Sequence, residues 1–224
     1  MAGKAREVAG GGRAVEVPPE RLAGWYDRYA ARHAGIIRTV IAGDSITVEA
    51  TDGTTATATV PFGPWDVEPG ERPGLVIDEL VAHLTRPRRV GLVLVRLGGH
   101  SVGVAEAGKV VVSRTDRRLV HGRSAAGGWS QRRFARRREG QARQAMDAAA
   151  QDVAEVLGGR LAELDAVVLG GDQRALETLR ADRALAGVFA LAETRVLDVP
   201  DPRRTVLDDA AARAFSVEIV VRDG

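Results

Sequence analysis

An apolar stripe from Ala142 to Leu157 is the feature that most constrains how this chain can fold. Ala142, Ala145, Met146, Ala149, Val153, Val156 and Leu157 recur at steps of three, one, three, four, three and one, and Gly158-Gly159 ends the pattern. That period marks one face of a long α-helix, which has to be covered by another layer. Two apolar runs supply a sheet for it. VGLVLVRL, at 90–97, reads as a central strand buried on both faces, and AVVLGG, at 166–171, reads as a second one. Shorter strands are expected at about 101–105 and 109–113, with turns at Gly98-Gly99 and Gly108. Helices are expected through Leu84, at 173–180 and at 206–214, and FSVEIVV closes the chain as a strand.

The N-terminal third has a different pattern. Residues 1–14 are glycine-rich and without periodicity, and are expected to form a disordered tail. Pro18-Pro19 precedes a helical stretch in which Leu22, Trp25, Tyr26 and Tyr29 share a face, an aromatic stripe read as packing. Strands are expected at 36–42, 45–50 and 55–60, with Asp52-Gly53 as a hairpin turn. PFGPWDVEPGERPG reads as a linker or an irregular edge. The fold class is therefore α/β of the mixed α+β kind. A helix plus β-hairpin portion at 15–74 precedes a larger unit at 75–224.

Charge is distributed unevenly. Residues 114–143 contain ten arginines and two acids, Asp116 and Glu139, a net +8. The whole chain has 32 basic and 30 acidic side chains, so everything outside that segment is net −6. Lysine occurs only at 4 and 109, a bias that makes arginine's abundance uninformative but leaves its clustering meaningful. Such a concentration is expected of a surface that meets a polyanion, and binding through it should weaken with salt.

Other chemistries are poorly represented. There is no cysteine, so disulfides and thiolate metal sites are excluded. His33, His83, His100 and His121 have no ligand spacing, and no phosphate-binding loop or dinucleotide fingerprint is present. Asp78, Asp165 and Asp172 fall near element ends, where single acids are more often helix caps than members of a nuclease-like cluster. Neither metal nor cofactor is expected. No apolar run spans a membrane and MAGKAREVAGGGR lacks the apolar core of a secretory signal, so a cytoplasmic protein is expected.

Within the arginine field lies HGRSAAGGWSQRRFARRR, at 121–138. Gly127 and Gly128 allow close backbone approach, and Gln131 offers a neutral donor and acceptor that can hold a water without deprotonating it. A neutral amide positions a nucleophile; it is a poor general base. Trp129 can stack on a nucleobase or fold back on the protein. Arg132, Arg133, Arg136, Arg137 and Arg138 cover too much of a helix circumference to pair internally, so several are assigned to phosphates. Phe134 continues the apolar stripe.

These residues resemble the central domain of eukaryotic and archaeal class-1 peptide release factors. His121, Gly122 and Arg123 match the start of the family's loop, Gly127 and Gly128 its glycine pair, and Arg133, Phe134, Ala135 and Arg136 the start of its helix. Trp129 stands where those factors have glutamine, and Gln131 follows two residues later. A shifted glutamine is found in the Vms-like release factors (VLRF), and the chain is similar to their actinobacterial branch over about 88–224. The resemblance implies a release-factor central-domain-like mixed sheet flanked by helices. It also implies a peptidyl-tRNA hydrolase acting, without reading a codon, on stalled large ribosomal subunits. Gln131 would be catalytic, with Gly127 and Gly128 shaping the loop at 124–131, and Arg123, Trp129 and the helix arginines would bind RNA. The implied partners are the large subunit, peptidyl-tRNA and ribosomal RNA, met by a monomer, with no DNA or membrane. Two rival readings are an endonuclease cutting near the tRNA 3′ end and a non-catalytic ribosome-binding protein.

Overall fold

A computed structural model describes residues 5–96, 99–117 and 130–224; for residue 117 and residues 130–139 it describes the backbone alone. The chain opens with β1 (Arg6–Glu7) and β2 (Arg13–Val17). It continues through α1 (Leu22–Arg32), β3 (Ile36–Ala42), β4 (Ser45–Ala50), β5 (Thr55–Thr59), β6 (Gly70–Pro73) and α2 (Asp78–Leu84). Next come β7 (Arg89–Arg96), β8 (Gly99–Glu106), β9 (Lys109–Arg117) and α3 (Ser130–Leu157). The remainder is β10 (Ala166–Gly171), α4 (Gln173–Arg180), α5 (Ala186–Ala190), β11 (Ala192–Leu197), α6 (Arg204–Ala214) and β12 (Val217–Arg222). Among the described residues these make a mixed α+β fold of two sheets and six helices.

The chain divides into two units, one of residues up to Pro87 plus Phe215–Gly224, the other of Arg88–Ala214. In the first, seven antiparallel strands run in the order β1-β2-β12-β5-β4-β3-β6. SITVEA and TATAT alternate between buried and half-exposed positions, as strands with one covered face do. Ile46, Val48, Ala56, Ala58, Val217 and Ile219 form a core with Leu22, Tyr26 and Tyr29 of α1 and Leu80 and Leu84 of α2. The Tyr29 hydroxyl donates to the Thr54 carbonyl at 2.8 Å. Asp52 accepts the Thr54 backbone N–H at 3.0 Å and Gly53 takes φ +84°, completing the expected hairpin turn.

Two expectations are corrected here, and the edge expected in the PFGPWDVEPGERPG stretch is found as a strand. Of the expected tail, residues 6–7 form β1 and residues 13–14 begin β2, because β2 pairs with β12, a partner about two hundred residues away that leaves no local trace. The PFGPWDVEPGERPG stretch includes β6, which pairs with β3 at the sheet edge, where a proline is tolerated. The division between units falls at Pro87 rather than at residue 74, and β12 belongs to the first unit.

The second unit holds a five-stranded mixed sheet in the order β11-β10-β7-β8-β9. β11, β10 and β7 are parallel, while β7, β8 and β9 are antiparallel. The predicted central strand is central, with six consecutive buried residues in β7. Val93, Val95, Val102 and Val104 meet Ala149, Val153, Val156 and Leu157 of α3. On the other face a Cβ at Gly103 would come within 3.0 Å of Leu207 on α6, so the two helices cover opposite faces. The glycines ending β10 serve close approach: Gly171 has φ +107°, and a Cβ there would lie 2.1 Å from the Val95 carbonyl oxygen.

Candidate functional site

The glycine- and arginine-rich segment joins the end of β9 to the start of α3, and two sets of contacts fix those flanks. First, the apolar stripe of α3 is buried against β7 and β8 from Ala149 onward. Second, Asp152 on α3 takes a hydrogen bond from Arg114 of β9 at 3.0 Å and lies 2.8 Å from His100 Nε2 of β8. Arg114 also pairs with Glu155, one turn further along α3. The strand before the segment and the helix after it are therefore clamped to each other.

Arg123, Gly127, Gly128 and Trp129 lie outside the described residues, as do His121 and Gly122. Gln131 is the second residue of α3, and Arg132, Arg133, Arg136, Arg137 and Arg138 follow it within the first three turns of helical backbone. The helix is 28 residues long, and its N-terminal end carries the partial positive charge of the aligned peptide dipoles. No acid lies in its first turn. Gln131 and the arginines thus begin a helix whose far half is built into the core, at an end whose field favours anions.

Two of the three acids singled out in the sequence, Asp165 and Asp172, have structural partners. Asp172 caps α4 by accepting the Ala175 N–H at 3.1 Å, and Asp165 accepts the Arg89 N–H at 2.7 Å. These two acids flank β10 at opposite ends, roughly 20 Å apart for a strand of that length. Asp78 belongs to the other unit, in the first turn of α2. No carboxylate cluster forms from them, and among the described residues no group of His, Cys, Asp or Glu is arranged to hold a metal. His33 lies 2.7 Å from Asp52, and His83 lies 2.9 Å from the Pro61 carbonyl. Hydrogen bonding by His33, then by the Thr54 backbone, holds the Asp52 carboxyl down at about 2. Burial, helped by Asp52, pushes the Tyr29 phenol up to about 12.

In the first unit a groove of about 290 Å³ is lined by Arg13, Trp25, Arg28, Arg32, His33 and Asp223, among others. The aromatic stripe of α1 is packing for Tyr26 and Tyr29, both buried, but Trp25 is only half-buried and opens onto this groove. Arg13 falls in the stretch expected to be a tail, so no local pattern could link it to α1.

No curated protein matches the chain. Among solved structures it is similar to an archaeal protein (TM-score 0.42, 11% identity, 75% of this chain and 52% of that one). It is also similar to an archaeal translation termination factor, aRF1 (TM-score 0.43, 10% identity, 96% and 68%). A third similarity is to Dom34 of S. cerevisiae, a translation termination-like factor (TM-score 0.33, 8% identity, 96% and 70%). These likenesses are remote, and the chain spans about half the length of the first. No helix among the described residues is long and apolar enough to cross a membrane. The family model described as Actinobacteria/chloroflexi VLRF1 release factor matches residues 88–220, more than half of the chain, covering the whole second unit and running on into residues 215–220 of the first. The chain belongs to the actinobacterial and chloroflexi VLRF1 release-factor family.

Proposed function

We propose that this protein is a peptidyl-tRNA hydrolase that frees nascent chains from tRNA on stalled large ribosomal subunits without reading a codon. The observation that carries the reading is Gln131, three residues after the Gly127-Gly128 pair and in the first turn of α3, within the residues matched by a release-factor family. The Gln131 amide holds a water against the ester carbonyl carbon. The water oxygen bonds to that carbon and the bond to the terminal ribose oxygen breaks, giving a free peptide carboxyl and an intact tRNA 3′ end. Because an amide does not take the proton, a ribose hydroxyl of the tRNA or ribosomal RNA carries it to the leaving oxygen. Gly127 and Gly128 keep side chains away from the approaching backbone, and Arg123, Trp129 and the helix arginines hold RNA. The partners are the large subunit, its ribosomal RNA and peptidyl-tRNA, and the protein works as a cytoplasmic monomer.

The test is release of labelled peptide from peptidyl-tRNA on isolated large subunits, with the tRNA 3′ end sequenced. Release by wild type, lost in Gln131→Ala and leaving an intact 3′ terminus, is the expected result. A shortened 3′ terminus would replace hydrolysis with endonucleolytic cutting. Tight, salt-sensitive binding without release would leave a ribosome-anchoring protein.

A further inference from the structure

We propose that the groove beside α1 is a second RNA-binding site, taking one nucleotide of a single-stranded segment with its base against Trp25 and its phosphates at Arg13, Arg28 and Arg32. The site is independent of the loop chemistry. Trp25, Arg28, Tyr29 and Arg32 stand at steps of three, one and three, so they share one face of α1. Arg13 reaches the same groove from β2, where it is paired in register with Val221 of β12.

Two physical features make this a binding surface rather than a solvated face. The first is a fixed aromatic platform. The Trp25 indole lies nearly parallel to Tyr29, with ring centroids 5.6 Å apart and planes at 6°, and it meets Tyr26 edge-on at 4.9 Å. Tyr29 is itself held by Thr54. An indole so oriented offers a nucleobase a stacking surface with little further ordering required.

The second is uncompensated charge. The first unit is acidic, with nine arginines against fourteen acids over residues 5–87 and 215–224. Arg6, Arg38 and Arg72 are bound by Glu218, by Glu49 and Glu71, and by Glu79. No carboxylate pairs with Arg13, Arg28 or Arg32 among the described residues, although all three line one groove. Asp223 is the acid at the groove wall, and His33 is occupied by Asp52. Three guanidiniums around an aromatic platform match a phosphodiester chain carrying a base. The volume, about 290 Å³, lies at the small end of the range for organic ligands and suits a single nucleotide.

The experiment is photocrosslinking of a short thiouridine-substituted oligouridylate to the full chain, with crosslinked peptides mapped by mass spectrometry. Crosslinks are expected in α1 at or beside Trp25, in addition to any at 118–139. The double variant Arg28→Glu/Arg32→Glu should lower the α1 crosslinks at least about tenfold while leaving thermal unfolding unchanged. Trp25→Phe, which keeps a ring, should retain more of the signal than Trp25→Ala. Crosslinks confined to 118–139, or α1 crosslinks indifferent to the double charge reversal, overturn the proposal. Gln131→Ala should leave the α1 crosslinks intact, so failure of peptide release and failure of this site read out separately.

Discussion

His100 on β8 and Asp152 on α3 lie 2.8 Å apart, with the imidazole almost completely buried. This contact and the Arg114 pairs with Asp152 and Glu155 border the apolar packing of α3 on the sheet. Asp152 is 21 residues along α3 from Gln131, or about 30 Å at the helical rise. The buried half of the helix sets the direction in which the other end projects.

Asp152→Ala should therefore destabilise the second unit. The substitution leaves a buried imidazole nitrogen without its partner, a cost of about 1–3 kcal/mol. Replacing both residues by apolar side chains should cost less than the sum of the two single changes. Urea unfolding of the four-member cycle measures this, and strictly additive costs would show that the two groups do not act as a pair.

Acid should weaken the first unit through Asp52. Its folded value, about 2, is below the unfolded value of 3.8, so the ionised carboxyl stabilises the folded chain above the unfolded value. That contribution disappears as pH falls through about 4 to about 2. Wild type should exceed Asp52→Asn in stability at neutral pH, and the two should converge near pH 2. A gap that stays constant over that window would mean the carboxylate charge is not what matters.

Charge reversal at Arg136 and Arg137 should separate binding from folding. Arginines that serve RNA rather than the fold contribute little to stability, about 0–1 kcal/mol each, so melting should barely change while affinity for large subunits and its salt dependence fall. A parallel drop in melting temperature would instead make these arginines part of the fold.

The elements legible in sequence were those whose signal is local. The stripe of α3, the unbroken apolar run of β7, the Asp52-Gly53 turn and the alternation in β4 and β5 are each complete within a few residues. β11, AETRVL, escaped because its place at a sheet edge leaves most of its side chains partly exposed and hence weakly patterned. β1 and β2 escaped because their stability comes from pairing, not composition. The candidate sites divide in the same way. The loop at 121–138 is one contiguous run and could be read directly. The Trp25 groove needs Arg13 brought to α1 by a sheet, and no window of sequence contains both in a recognisable pattern.

β12 lies between β2 and β5, yet it is made of residues 217–222. During synthesis both of its neighbours therefore present unpaired edges until β12 leaves the ribosome, while every described strand of the second sheet is already available. The order of assembly thus runs against the order of the chain: the unit bearing Gln131 can mature before the unit bearing Trp25 is sealed.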